Sequence, residues 1–325
     1  MRRVRYYRYG GPEVLTIEET ARPEPGPGQV RLRAEAVGAN FVDTKIRGNA
    51  GGIFYRPLPG SLTGDVVGTI DAIGPGVDPG RFRAGERVAA LVDPDAFADY
   101  ALADCEWLAP VPAGMTAGPA SLLPTAGPVA LRIVRTGQVA AGETVLIHSG
   151  AGTIGGLAIQ LAKLLGAGTV IATAGTAEKR RHTVDLGADV AIDYTAEDWP
   201  EQVRAVAPGG VDVALDAVGG ATLQRSVDLL APMGRAVTYG AAGGEMATLP
   251  VRSFFRNRTL SGFSLLAWRA ARPGPARAEM TEVAGYLADG RLRSGVRATL
   301  PLTEAVKAHE LLADRGTIGR ILLTP

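Results

Sequence analysis

Val145-Leu146-Ile147-His148-Ser149-Gly150-Ala151-Gly152-Thr153-Ile154-Gly155-Gly156 is the stretch on which the fold turns. An apolar run leads directly into Gly150-x-Gly152-x-x-Gly155, and an apolar-periodic segment follows with Leu157, Leu161, Leu164 and Leu165. Such a glycine pattern alone is weak, but between a strand and a helix it has a mechanism. The glycines let the backbone turn tightly and approach a pyrophosphate, and the helix's unpaired N–H groups and dipole hold the phosphate charge.

Working outward, strands alternate with helices from about residue 128 to 263. Strands are expected at Thr144–Ile147, Thr169–Thr173, Val190–Ile192, Val211–Leu215, Ala236–Tyr239 and Thr259–Ser261. Helices are expected at Ile154–Leu165, Ala177–Leu186, Trp199–Ala205 and Thr222–Leu230. Alternation of this kind implies a parallel sheet with right-handed crossovers, and six strands complete a dinucleotide-binding sheet. Residues 1–120 differ. Short β-type runs such as Gln29–Val37, Val66–Ile70 and Arg87–Val92 are separated by Pro23–Gly28, Gly48–Gly52 and Gly74–Gly80, which suggests a barrel-like β domain. Residues 264–325 carry helices at Ala278–Leu287 and Glu304–Leu312 and a strand at Arg320–Leu323, too little for a third domain. The fold class expected is α/β, with 1–125 completed by 264–325 as one domain and 126–263 as the other.

The end of the second strand bears on the choice of dinucleotide. An NAD site places Asp or Glu there, about 20 residues on, for the ribose 2′-hydroxyl. Here the run is Ile171-Ala172-Thr173-Ala174-Gly175-Thr176, without a carboxylate; Glu178 falls in the next helix. Thr176 offers a hydroxyl, and Lys179, Arg180 and Arg181 offer cations, which suits a 2′-phosphate and favours NADPH. Asp216-Ala217-Val218-Gly219-Gly220 and Tyr239-Gly240-Ala241-Ala242-Gly243-Gly244 end the fourth and fifth strands, where such sheets bind ligands.

Composition excludes several classes. A formal net charge of +1 gives no polyanion-binding surface, so no nucleic-acid partner is expected. With 46% hydrophobic and 21% charged residues the chain is ordinary for a folded protein. The longest apolar stretch is interrupted by His148, Gln160 and Lys163, so no membrane partner is expected. The start, Met1-Arg2-Arg3-Val4-Arg5-Tyr6, has no apolar run behind it, and a cytoplasmic setting follows as the expectation. The single cysteine, Cys105, excludes an intramolecular disulfide and a cysteine-rich zinc site.

Several motifs together resemble the medium-chain dehydrogenase/reductase superfamily, most closely its zinc-independent quinone oxidoreductase (zeta-crystallin-like) branch. They are Tyr9–Leu15, Gly38-Ala39-Asn40-Phe41-Val42-Asp43-Thr44-Lys45-Ile46-Arg47, Gly64–Gly68, Gly85–Val88, Leu186–Asp189, Ala308–Glu310 and Gly316–Arg320. The resemblance implies a GroES-like catalytic domain built from both chain ends, a Rossmann domain inserted in it, an active site in the cleft, and homodimers formed through the cofactor domain. On it, Gly175, Thr176, Lys179 and Tyr194 look like the 2′-phosphate and adenosine contacts, and Asn40 like the polar residue near the nicotinamide. The full cofactor set assigned is Asn40, Thr125, Gly150, Gly152, Thr153, Ile154, Thr173, Gly175, Thr176, Lys179, Tyr194, Ala217, Val218, Gly240, Ala241, Phe263 and Ser264. Where zinc-dependent relatives carry Gly-His-Glu, this chain has Thr63-Gly64-Asp65, so no metal ligand is assigned.

The reaction implied is hydride transfer from NADPH to a quinone or an α,β-unsaturated carbonyl. Rival readings are a biosynthetic enoyl reductase of a polyketide-like intermediate and an NADPH-binding protein without turnover. Asn40, Lys45 and Tyr55 are the catalytic candidates. Lys45 either stabilises an oxyanion or pairs with Asp43 or Asp65. Tyr55 follows Gly51-Gly52-Ile53-Phe54, read as a mobile loop, and either reaches the cleft or is a surface aromatic. His148 reads as packing beneath the phosphate turn, and His182, His309 and Cys105 as structural. Phe97, Phe263, Leu265 and Trp268 are candidate apolar walls, or, for Phe263–Trp268, a dimer contact.

Overall fold

The computed structural model describes residues 1–49, 55–314 and 318–325. Gly51–Phe54, read above as a loop, lies outside the described residues, as do Gly316 and Thr317 of the C-terminal motif.

The N-terminal runs form β1 (Arg2–Tyr6), β2 (Thr16–Glu19), β3 (Gln29–Gly38), β4 (Gly60–Ser61), β5 (Gly64–Ile73), β6 (Arg87–Val92), β7 (Tyr100–Asp104) and β8 (Ala109–Pro110). Two helices accompany them, α1 (Phe41–Gly48) and α2 (Ala117–Ala120). In β3, Val30 and Leu32 face inward while Arg31 and Arg33 point outward, the period of a half-buried strand. The middle of the chain gives α3 (Ala126–Thr136), β9 (Thr144–Ile147), α4 (Thr153–Leu164), β10 (Thr169–Thr173), α5 (Ala177–Asp185), β11 (Val190–Ile192) and α6 (Trp199–Val206). It continues with β12 (Val211–Asp216), α7 (Gly220–Asp228), β13 (Leu230–Thr238), β14 (Thr259–Gly262), α8 (Leu265–Ala271) and α9 (Pro273–Ala288). The chain closes with β15 (Val296–Pro301), α10 (Ala305–Ala313) and β16 (Arg320–Thr324).

Two units result: Met1–Thr125 with Met280–Pro325, and Ala126–Glu279. In the first, a seven-stranded sheet runs β15-β16-β3-β5-β6-β8, with β7 also on β3, beside a three-stranded sheet β2-β1-β4. Leu302, Ala308, Ile321 and Leu323 share one core with Val30, Leu32, Leu62 and Phe97, so the C-terminal segment completes that core. In the second unit the order is β11-β10-β9-β12-β13-β14, every pair parallel. Numbered within the sheet this is 3-2-1-4-5-6, the doubly wound dinucleotide-binding order, with its switch point between β9 and β12.

The second junction falls after Glu279, later than the expected 263. Glu279 is 5% exposed and accepts from Arg132 at 3.2 Å, Arg135 at 3.4 Å and Trp268 Nε1 at 3.0 Å, which ties α8 and the start of α9 to α3. Helix α4 is also less amphipathic than expected. Gly155 to Ala162 are all buried, whereas Leu164 and Leu165 are exposed.

Candidate active site

In the second unit each strand of the parallel sheet ends on the same edge, and each end carries expected cofactor residues. Gly150 follows β9, Gly175 follows β10, Tyr194 follows β11, Ala217 follows β12, Gly240 follows β13 and Phe263 follows β14. The parallel topology thus brings six separate sequence stretches to one line. Gly152 is the N-cap of α4, with Thr153 and Ile154 in its first turn, where helical N–H groups lack intrahelical partners. The tight turn itself is made at Ser149, whose φ of 54° is left-handed, rather than at a glycine. Gly155 serves close approach: a Cβ there would lie 2.3 Å from the Ser149 carbonyl oxygen.

His148 is buried beneath this turn. Its Nδ1 lies 3.0 Å from Thr173 Oγ1 and its Nε2 lies 2.8 Å from Ser226 Oγ. Ser226 already donates its hydroxyl hydrogen to the Thr222 carbonyl at 2.7 Å, so it accepts from Nε2–H. Nδ1 then accepts from Thr173, which fixes the tautomer. Burial lowers the imidazole pKa from 6.5 to about 4, so the ring is neutral and braces β9, β10 and α7 together. Trp199 meets it edge-on at 5.3 Å.

At the start of α5, Thr176 caps the helix by accepting from the Lys179 N–H at 3.2 Å. Tyr194 lies against Gly175, where a Cβ would sit 3.1 Å from its hydroxyl. Arg180 differs from expectation: it pairs with Asp193 at 2.6 Å. Asp193 is held below the usual carboxylate range, chiefly by the Thr195 hydroxyl and N–H that donate to it. Asp216 accepts from the Gly219 N–H at 2.8 Å and shapes the Ala217–Gly219 turn. Its burial raises the carboxyl pKa to about 6. Ser264 caps α8 by accepting from the Ala267 N–H at 3.4 Å. Trp268 is held by Glu279 with Arg132 over its ring at 4.5 Å.

The first unit gathers a second set. Asn40, the N-cap of α1, accepts at Oδ1 from Arg320 Nη1 at 2.9 Å. Arg320 pairs with Asp65, and Asp65 accepts from the Thr125 hydroxyl at 2.5 Å. Asn40 and Thr125, far apart in sequence, therefore meet through one buried ion pair. Lys45 does not pair with either expected carboxylate. Asp65 is taken by Arg320 and Thr125, and Asp43 accepts from the Thr63 N–H at 2.8 Å and from its hydroxyl. The Lys45 ammonium instead lies 5.4 Å from the Phe41 ring centre. Tyr55 is 67% exposed, with its ring 6.4 Å from that of Tyr9. Phe97 is not a pocket wall but a core residue, edge-on to buried His309 at 5.7 Å. Cys105 is a free thiol whose pKa burial pushes up.

Residues 26–113 match the family model for the alcohol dehydrogenase GroES-like domain, and residues 153–280 match that for the zinc-binding dehydrogenase. A 2-haloacrylate reductase of Burkholderia sp. is 37% identical, covering 98% of this chain and 97% of the relative. A quinone oxidoreductase of Pseudomonas aeruginosa is 33% identical, covering 100% and 99%. The crystal structure of Escherichia coli quinone oxidoreductase complexed with NADPH superimposes with a TM-score of 0.89 at 30% identity, covering 100% of both chains. The chain belongs to the medium-chain dehydrogenase/reductase superfamily, in its quinone oxidoreductase branch.

Zinc, implied by the name of one family model, does not fit the residues of this medium-chain reductase. At the position of the histidine in zinc-dependent relatives stands Gly64, where even a Cβ would come within 2.8 Å of Val37 and 3.0 Å of Ala96. Among the described residues no three His, Cys, Asp or Glu side chains gather as a ligand set. Sequence reading passed over Asp65, Ser121, Ser226 and Arg320 as site residues. The available signal was an arginine opening an otherwise apolar terminal strand, Arg320-Ile321-Leu322-Leu323.

Proposed function

We propose that this medium-chain reductase binds NADPH and reduces a quinone or an α,β-unsaturated carbonyl without a metal. The observation that carries the reading is the parallel edge itself: the glycine turn stands at the switch point, and the adjoining strand end offers Thr176 and Lys179 in place of an acid. The chemistry supplied by NADPH when bound is a hydride donor.

The chain's own residues do the rest. The first turn of α4 receives the pyrophosphate, with Gly155 letting α4 pack closely on the Ser149 turn and His148 bracing that turn from below. Thr176, Lys179 and Tyr194 recognise the phosphorylated adenosine end. The stretches Ala217–Val218 and Gly240–Ala241, with Phe263 and Ser264, flank the remainder. Asn40 and Thr125 are the groups offered to the nicotinamide and the acceptor. A developing enolate or hydroquinone oxygen needs a hydrogen-bond donor, and the Asn40 amide is one. Lys45 and Tyr55 are retained as proton-donor candidates.

The chain is further proposed to work in the cytoplasm as a homodimer formed through the second unit. Among the described residues the outer strand β14 of its sheet has no further strand beside it, and Phe255, Val251 and Met233 are exposed in the same unit. Among the described residues no helix is long and apolar enough to cross a membrane. The test follows nicotinamide absorbance with NADPH and NADH across quinones, enones, 2-haloacrylates and enoyl thioesters. Expected is turnover with NADPH and quinones or enones. Preference for NADH would refute the cofactor reading, and turnover confined to enoyl thioesters would refute the acceptor reading.

A further inference from the structure

Asp65 and Arg320 are an ion pair of two enclosed side chains, 0% and 4% exposed. Such a pair adds little net stability, because desolvating both charges offsets their attraction. Its effect on neighbouring groups is directional. Arg320 donates from Nη2 to Asp65 Oδ2 and to the Ser121 carbonyl at 3.3 Å, and from Nε to the Ser121 hydroxyl at 3.3 Å. From Nη1 it donates to Asn40 Oδ1 at 2.9 Å. A guanidinium has donors only, so Asn40 must turn its carbonyl oxygen to Arg320. The end of the amide left to the site is Nδ2, with two N–H groups.

Across the pair the logic reverses. A carboxylate paired with a guanidinium has acceptors only, so the one hydroxyl hydrogen of Thr125 is committed to Asp65 Oδ1. The remaining lone pairs of Thr125 Oγ1 can only accept. The backbone is shaped for this arrangement: Gly38 stands opposite Asp65 in the β3–β5 ladder, and a Cβ there would lie 2.2 Å from Arg320 Nη2.

We propose that the Asp65–Arg320 pair sets the hydrogen-bond polarity of the site, holding Asn40 as a donor and Thr125 as an acceptor. Asp65 and Arg320 are then positioning residues that act through these neighbours. The inference rests on the reading that Asn40 and Thr125 face the acceptor and the nicotinamide. A fixed N–H donor matches a carbonyl oxygen on which negative charge grows as hydride adds at carbon. A fixed acceptor matches a carboxamide N–H, such as that of nicotinamide. Acceptors that present a carbonyl oxygen are therefore selected over those that present only N–H or O–H.

Double-mutant kinetics test this with NADPH and a simple benzoquinone, using N40A, R320K and the N40A/R320K pair, with melting temperature and NADPH affinity measured on each. Lysine, with three donors on one nitrogen, cannot serve the four acceptors that Arg320 serves, so R320K releases the Asn40 amide. Expected is about a tenfold loss of kcat/KM in the natural background and less than a twofold loss in the N40A background, because the effect passes through Asn40. For N40A the loss in kcat/KM for the quinone should exceed any loss in NADPH affinity. The N40D variant, which still answers Arg320 but has no amide donor, should fold, bind NADPH and lose at least tenfold in kcat/KM. It carries the test if R320K does not fold. On the other branch T125V should weaken NADPH about tenfold and T125S should restore it. An R320K loss of the same size with and without Asn40, or a fully active N40D, overturns the proposal. An N40A enzyme as active as the natural one overturns the placement of Asn40 itself, and the proposal with it.

Discussion

His148 links proton binding to the integrity of the phosphate turn. Its imidazole is enclosed between Thr173 and Ser226, and burial takes its pKa from 6.5 to about 4. As pH falls below 6.5 the unfolded chain takes up a proton at this site, while the native chain does not until about pH 4. The contribution is thus full above pH 6.5 and is lost progressively toward pH 4. The shift corresponds to about 3 kcal/mol in all, of which about 2 kcal/mol falls between pH 7 and pH 5. The perturbation is His148→Asn, which cannot titrate but whose Oδ1 can still accept from Thr173. At pH 7 it loses the link to Ser226 and the edge contact with Trp199, a cost of about 2 kcal/mol. Urea unfolding of both proteins at pH 7 and pH 5 is the assay. The variant's deficit should shrink from about 2 kcal/mol to near zero, because only the natural protein suffers from acid at this site. His309 is common to both and cancels. A deficit that stays constant or widens at pH 5 would mean that His148 carries a proton in the native state, and the tautomer argument would fall.

Gly155→Ala should lower the melting temperature and weaken NADPH binding at least tenfold, since its Cβ meets the Ser149 carbonyl at 2.3 Å; fluorescence titration of the bound nicotinamide measures it. Asp43, buried with Thr63, has its carboxyl pKa raised to about 7, so the native state holds its proton more tightly than the unfolded chain and stability declines between about pH 4 and 7. Asp43→Asn should remove that part of the decline, seen as a smaller drop in urea midpoint from pH 5 to pH 8. Lys179→Ala should lower the preference for NADPH over NADH about tenfold in kcat/KM, mainly through KM for NADPH.

Much of the second unit could be read directly from residue order. Thr144–Ile147, Thr169–Thr173 and Val190–Ile192 are strands with the expected bounds, because each is a short β-rich run closed by turn residues. Errors came where local signals conflict with tertiary support. Strand β13 begins at Leu230 rather than Ala236, although Met233 and Gly234 interrupt its apolar pattern; pairing with β12 across a register irregularity carries it through. Helix α9 begins at Pro273, not Ala278. Its Pro-Gly-Pro start reads as a breaker, yet proline is tolerated in a first helical turn, where its N–H has no partner to lose.

Residue order alone determined the glycine turn, the alternation behind it and the absence of an acid after β10, since each depends on neighbours within one strand–turn–helix unit. Partner choice among buried charges is different, because it depends on which side chains the fold brings within hydrogen-bond distance. Only tertiary structure decided that Asp65 takes Arg320, 255 residues away, rather than Lys45, and that Asn40 and Thr125 flank that pair. Charged groups deprived of water must find each other at close range, and the sheet that joins β3, β5 and β16 sets who is near.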